Sequence, residues 1–222
     1  MKRHTLSTRV WHWLTVVCTV VLFMSGLTIS NAHPWLYWGQ WGFEPADAWL
    51  AVPRFPDWLT IPGYYSLAKA RSWHVFTAWP FALALLLGWL AMLANGHFKH
   101  DIATTRREWT LAAIKADLAA HLRLDLTHGG GHYNFLQKLS YGLVLGVLLP
   151  GLVLTGVAIS PGSGPGFGWM IELMGGRQSA RSLHFICAFG LLAFVIVHVV
   201  LVLLTGPWGQ IRAMVTGGQR QP

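Results

Sequence analysis

The sequence predicts an all-α membrane protein, a bundle of four transmembrane helices. Three observations predict it. The 222 residues are 54% hydrophobic and only 11% charged, less than half the roughly 25% usual in soluble domains. Four apolar stretches reach the roughly 20 residues that cross a bilayer. The 24 glycines and 13 tryptophans match the enrichment of Gly where membrane helices meet and of Trp at the lipid–water boundary.

The spans cover about 11–30, 73–95, 139–160 and 183–205. For the first, a cleaved leader is the alternative, because Lys2 and Arg3 precede it and Ser30-Asn31-Ala32 resembles a cleavage site. Its apolar run exceeds the core of about 7–15 residues usual in leaders, and it carries His12 between two tryptophans. An uncleaved span is therefore expected. Pro80 and Pro150 interrupt the second and third spans, as kinks that neighbouring helices tolerate. The 31–72 connection is rich in Trp, Pro and Tyr, which suits the outer membrane surface or a partner rather than a free linker. Residues 105–124 place Trp109, Ala112, Ala113, Ala116 and Ala120 at helical spacing among charges. That pattern predicts an amphipathic helix along the cytoplasmic interface. The chain has no internal repeat and no low-complexity run.

Orientation follows from the basic residues. Lys2, Arg3, Arg9, Lys99, Arg106, Arg107, Lys115, Arg123, Lys138, Arg212 and Arg220 fall on one side, and Arg54, Lys69, Arg71, Arg177 and Arg181 on the other. Both termini are therefore expected in the cytoplasm. The net charge of +8 is spread over these inter-span segments, not gathered in one patch or basic helix, which argues against a nucleic-acid partner. Cys18 and Cys187 each lie in an apolar run, without C-x-x-C-H or C-x-x-C. They are expected to be packing residues, separated in depth and unsuited to a disulfide.

Eleven histidines are present. His4, His33, His97, His100, His121, His128 and His132 fall in polar segments and are expected at the surface; His12, His74, His184 and His198 lie within or at the edge of spans. An ionisable side chain there is a functional candidate, with a helix–helix hydrogen bond as the alternative for any one histidine. The set is more informative. His184 and His198 are separated by 14 residues, almost four turns, so they share a face about 21 Å apart along the axis. The first span runs outward and sets His12 level with His198. The second runs inward and sets His74 level with His184.

Each pair can give two axial nitrogens to one haem iron, as suits electron transfer. Zinc wants four close ligands, and a proton relay wants acids, of which the four spans contain none. Two haem b groups are expected, an inner one on His12/His198 and an outer one on His74/His184. Gly26, Gly88, Gly142, Gly146 and Gly190 can admit a flat macrocycle or serve helix packing. Arg9 on the inner side, and Arg71 and Arg181 on the outer, can meet haem propionates or anchor the helices to the interface.

These residues carry a resemblance. R-V-W-H-W with a later S-G-L, S-W-H at the head of the second span, Y-N-F-L-Q-K leading into the third and H-x13-H in the fourth resemble the bacterial di-haem cytochrome b family. That family includes membrane subunits of formate dehydrogenase, nickel–iron hydrogenase and thiosulfate reductase, and small bacterial cytochrome b561. The resemblance implies a multi-pass protein of the bacterial inner membrane. It also implies an Asn-x-x-Gln-Lys quinone site, which maps onto Asn134, Gln137 and Lys138. Asn134 as the N-cap of the third helix is the competing account. The long outer loop departs from the family.

The main functional expectation is electron transfer between the quinone pool and a periplasmic redox subunit: a molybdenum enzyme, hydrogenase or cytochrome. The alternative is a stand-alone quinol/quinone oxidoreductase like cytochrome b561, acting on a small oxidant or reductant without a partner. A transporter or passive membrane anchor is the non-redox reading; the acid-free spans argue against a proton-coupled transporter.

Overall fold

The computed structural model describes residues 5–122, 134–162 and 165–218. In chain order its helices are α1 (Leu6–Ala32), α2 (Leu67–Ala94), α3 (Leu111–Leu122), α4 (Phe135–Leu143), α5 (Leu149–Ile159), α6 (Gly168–Leu173), α7 (Arg177–Leu204) and α8 (Pro207–Thr216). Four helical stretches are long and apolar enough to cross a membrane: α1, α2, the composite Phe135–Ile159 and α7.

Polar first turns carry α1, α2 and α7 beyond the apolar windows of the sequence, so Arg9, Arg71 and Arg181 are helical residues. Hydroxyls set two of these starts. Thr5 accepts the Thr8 N–H and Ser66 the Lys69 N–H, satisfying donors that the first turn leaves open. Pro80 lies within an unbroken α2. Pro150 does not leave its helix regular, because it lacks an N–H and its ring crowds the carbonyl four residues back. A wide π turn, Val144–Leu148, joins α4 to α5 immediately ahead of it.

The spans form two hairpins, α1 against α2 and the composite third span against α7. Within the first, Trp11 Nε1 donates to the Ala84 carbonyl at 2.7 Å. A Cβ on Gly88 would stand 2.6 Å from that indole nitrogen, so glycine is what admits the ring. Cys18, Phe81, Leu85, Val144, Leu148, Leu149 and Leu191 pack between the hairpins. Both cysteines are free.

The connection after α1 folds back as a cap. Its strands β1 (Trp35–Leu36) and β2 (Leu50–Ala51) pair antiparallel, a small sheet among mostly helical described residues. Asn31 holds Phe55 by both backbone groups, donating from Nδ2 at 2.9 Å and accepting at Oδ1 at 2.8 Å. The other edge sits on the first turn of α7. The Gly39 carbonyl accepts from the Gln178 and Ser179 N–H groups, and the buried Ser182 hydroxyl donates to the Tyr37 carbonyl at 2.6 Å while accepting from Trp49 Nε1. A Cβ on Gly176, whose φ is +117°, would stand 2.4 Å from the Gly39 carbonyl.

At the opposite end α3 begins at Leu111, not at 105 as its periodicity suggests. Glu108 Oε2 accepts from the Thr105 N–H and hydroxyl, turning 105–108 back on itself before the helix. Asp117 Oδ2 then accepts the open Leu136 N–H at 2.8 Å, tying α3 to the third span. Helix α8, bracketed by Gly206 and Gly217, docks on α1: Trp13 Nε1 and Arg9 donate to the Met214 and Val215 carbonyls. Lys2, Arg3, Arg123 and Arg220 of the charge bias, His4, His128 and His132, and position 124 of the amphipathic segment lie outside the described residues.

Candidate functional site

The ends of the bundle are termed outer and inner after the charge bias. At the outer level the structure brings His74 and His184 together, one from each hairpin, with ring centroids 6.2 Å apart. Each ring is held from behind by a hydroxyl on the neighbouring helix of its own hairpin. Ser25 Oγ lies 3.0 Å from His74 Nδ1, and Thr155 Oγ1 lies 2.8 Å from His184 Nδ1. Each hydroxyl gives its single proton to the carbonyl four residues back, Val21 at 2.7 Å and Gly151 at 2.5 Å. It must therefore accept from the imidazole, which places the ring proton on Nδ1 and leaves Nε2 with its lone pair. A hydrogen bond on one ring nitrogen that frees the other is the usual arrangement behind a metal-bound histidine.

The donor set therefore fits haem iron. The 6.2 Å between ring centres accommodates two metal–nitrogen bonds of about 2 Å each plus the half-widths of two rings. The two hairpins build this level from the same parts. L-x-x-S-G-L at 22–27 and L-x-x-T-G-V at 152–157 supply the hydroxyls, and R-S-W-H at 71–74 and R-S-L-H at 181–184 supply the ligands. A Cβ on Gly26 would stand 3.5 Å from His74 Cε1, and one on Gly156 3.4 Å from His184 Cε1. This short doubled motif qualifies the reading of a chain without repeats. It is the sequence signal for Thr155 and Gly156, and it gives the Ser25 of S-G-L its place beside His74. Of the glycines named from the sequence, Gly26 faces a histidine, Gly88 and Gly190 admit Trp11 and Leu148, Gly142 lies near Ile102, and Gly146 has open space.

Arg71 and Arg181 converge on His33, which the sequence assigned to the surface. Arg71 lies 3.3 Å from His33 Nε2, and Arg181 donates to the His33 carbonyl at 3.3 Å and to Gln178 Oε1 at 2.7 Å. Burial, with the Arg181 and Arg71 charges, holds the His33 pKa below the usual histidine value. The imidazole is therefore neutral at pH 7 and accepts from Arg71. Two guanidiniums at one point, each one turn ahead of a histidine of the outer pair, make a cationic cradle suited to carboxylates.

At the inner level His12 stands edge-on to Trp13 and His198 stacks on Phe194 at 5.9 Å. The structure thus joins the outer pair ring to ring, whereas the inner pairing rests on helix register. The α7 helix runs unbroken through both His184 and His198, so about 21 Å separates the two levels. Arg9 reaches the Val215 carbonyl, but its Nε is buried without an acceptor. A buried donor left open marks a missing partner, and at Arg9 the partner would be an anion such as a haem propionate.

Phe194 continues the inner aromatic path to Tyr141, 6.4 Å away on α4. At this end a mostly apolar groove of about 390 Å³ lies between the 102–109 segment and the third span. Trp109, Gly142, Leu143 and Val147 wall it and Lys138 closes its polar end, paired with Glu108 at 2.8 Å. The Lys138 hydrogen bond, and then the Thr105 N–H, hold the Glu108 carboxyl below its ordinary range. Of the three residues expected to meet quinone, Lys138 lines this groove. Asn134 is the N-cap of α4, and Gln137 Oε1 accepts its N–H at 3.2 Å, the capping alternative.

A family model described as prokaryotic cytochrome b561 matches residues 3–217. The chain is 33% identical over 198 residues to a putative protein-methionine-sulfoxide reductase subunit of Azospira oryzae, covering 88% of this chain and 87% of that protein. It is 25% identical over 202 residues to a probable Ni/Fe-hydrogenase B-type cytochrome subunit of Cupriavidus necator, covering 86% and 74%.

Proposed function

The chain belongs to the prokaryotic cytochrome b561 family, and from that premise we propose that it carries electrons across the membrane between quinone and a periplasmic redox subunit. It is a multi-pass protein of the bacterial inner membrane and holds b-type haem. The chemistry that haem supplies is reversible one-electron transfer at iron. The remaining work falls to the chain's own residues. His74 and His184 are the outer ligands, with Ser25 and Thr155 fixing their tautomers; His12 and His198 are the inner ligands. Arg71 and Arg181 receive carboxylates at the outer level and Arg9 at the inner.

The observation that carries this reading is the outer pair itself: two imidazoles from separate hairpins, each held through Nδ1 by a helix hydroxyl. A histidine that only bridged two helices would use its hydrogen bond as an end in itself. Here both rings meet across a metal-sized gap instead.

On the inner side the groove along α4 suits a quinone ring, with Lys138 as donor to a carbonyl oxygen and the aliphatic walls of α4 receiving the tail. The proton exchange that accompanies quinone chemistry would then take place on the cytoplasmic side. On the outer side the related proteins are named as subunits of a reductase and a hydrogenase. The exposed stack of Trp41 on Phe43 on the cap favours a protein partner over the stand-alone reading.

The test is a pyridine haemochrome assay on purified protein with co-purification from native membranes. Two b haems per chain and a stoichiometric soluble subunit are expected. Absence of haem absorbance would sink the redox reading, and a haem-loaded protein without a partner would favour the stand-alone oxidoreductase.

A further inference from the structure

His33 leads out of α1 into the cap, its N–H bonded to the Ser30 carbonyl of the last turn. Its side chain is half-buried, so water reaches it while its neighbours set its charge. Arg71 approaches Nε2 from α2 at 3.3 Å, and Arg181 holds the backbone carbonyl from α7. On the far side of Arg181 stand Gln178 of α7, which accepts from it, and Tyr37 of the cap. The charges that act on His33 are thus two cations, and with burial they keep the ring neutral.

A neutral imidazole that accepts at Nε2 carries its proton on Nδ1. Nε2 can take a second proton only by giving up Arg71, since both ring nitrogens are then donors. Arg71 has somewhere else to go, because a guanidinium has five N–H donors and pairs best with carboxylates. Proton binding at His33 and carboxylate binding at Arg71 therefore favour each other. The proton repels the guanidinium, and a carboxylate on the guanidinium offsets the charge that resists the proton.

The same exchange senses charge at the outer ligands. Arg71 and Arg181 each stand one turn ahead of a ligand, about 4.5 Å along the axis, and His33 lies just beyond them. At a separation on the order of 12 Å and an effective dielectric of about 20, one unit of charge changes a proton affinity about tenfold.

We propose that His33 is a proton-binding site coupled to the outer haem, taking up a proton from the outer aqueous phase on reduction and releasing it on oxidation. The electron is supplied by quinol or the redox subunit, and the proton goes to Nε2. This rests on the assignment of His74 and His184 to that haem. It adds a second proton exchange on the membrane face opposite the quinone groove.

The experiment titrates full-length, haem-loaded protein in nanodiscs against redox mediators, over about pH 5 to 8. It compares wild type with His33→Gln, which keeps an acceptor for Arg71 and cannot titrate. In wild type the reduced-to-oxidised ratio of the outer haem at fixed potential should rise about tenfold as pH falls below about 6.5. His33→Gln should abolish that rise and leave the inner haem titrating as in wild type. A pH-independent outer haem in wild type, or the same rise in His33→Gln, overturns the proposal. Should His33→Gln lose the outer haem, redox-difference infrared spectra of His12→Ala with 13C-labelled histidine decide, because an iron-bound imidazole cannot become an imidazolium. An imidazolium band that grows on reduction supports the coupling, and its absence overturns it. Retention of both haems in His74→Ala is a different failure, that of the ligand assignment.

Discussion

The imidazoles of His74 and His184 lie 6.2 Å apart, centre to centre, although they come from separate helix hairpins. Neither hairpin can complete this site alone. Replacing His74 or His184 by Ala is expected to lower the haem content from two per chain to one, and His12→Ala or His198→Ala to do the same. Pyridine haemochrome counts on the four variants check this; a variant that keeps both haems removes its residue from the ligand set.

Ser25 and Thr155 accept from the Nδ1–H of these histidines and so make each imidazole a better electron donor. Ser25→Ala and Thr155→Val should keep haem bound more weakly, by about 10- to 100-fold in affinity as for other such partners. They should also raise the outer midpoint potential, because a poorer donor stabilises the oxidised iron less. Spectroelectrochemistry reads both haems, and an unchanged outer potential would leave the hydroxyls a packing role only.

His33 links pH to the outer cap. Burial and two guanidiniums depress its folded pKa, so the unfolded or undocked state binds the proton more readily. The cap's stability from this group is complete above about pH 6.5, and is lost as pH falls from there through the folded value. Acid should therefore loosen the contact with Arg71 and Arg181. A fluorescence transition from the stacked Trp38–Trp49 pair is expected below that pH in wild type and absent in His33→Gln.

Gly176 meets the Gly39 backbone where no side chain fits, and its φ of +117° disfavours any other residue. Gly176→Ala should undock the cap from α7 while leaving the spans helical. Faster proteolysis within 33–66, with unchanged helical circular dichroism, is the expected result.

Glu108 holds Lys138 at the end of the inner groove. Glu108→Gln weakens that hold, and haem reduction by a short-chain quinol should slow by about 10- to 100-fold, the usual cost of a misplaced group. Reduction by dithionite should not change. Equal quinol rates in the two proteins would move the quinone site elsewhere.

The histidine levels were legible in the sequence because a 14-residue step in an apolar helix survives folding unchanged. Arg71 and Arg181 could be named for the same reason: they precede His74 and His184 by one turn. Ser25 and Thr155 were harder, since a hydroxyl bonded to the carbonyl behind it looks like ordinary helix interior. Only its position beside a histidine on another helix gives it meaning. The outer cap was legible as an aromatic segment but not as a fold. Its defining bonds, Tyr37 to Ser182 and Gly39 to Gln178, join residues far apart in sequence. Helix α8 carried readable signals, Pro207 at its start and Gly217 at its end, in a segment that is not apolar.

The unbroken run of α7 from His184 to His198 has an electrical consequence. Its 14 residues rise about 21 Å, roughly 0.7 of a hydrocarbon layer about 30 Å thick. Each electron moving from one level to the other therefore crosses most of the membrane voltage. At about 2.3 kcal/mol per charge per 100 mV, that passage works with or against roughly 1.6 kcal/mol for every 100 mV. The helix acts as the dielectric spacer of a capacitor: with haem at both levels, as proposed, the membrane potential would bias which one holds the electron, and imposed voltage on proteoliposomes is expected to redistribute reduction between them.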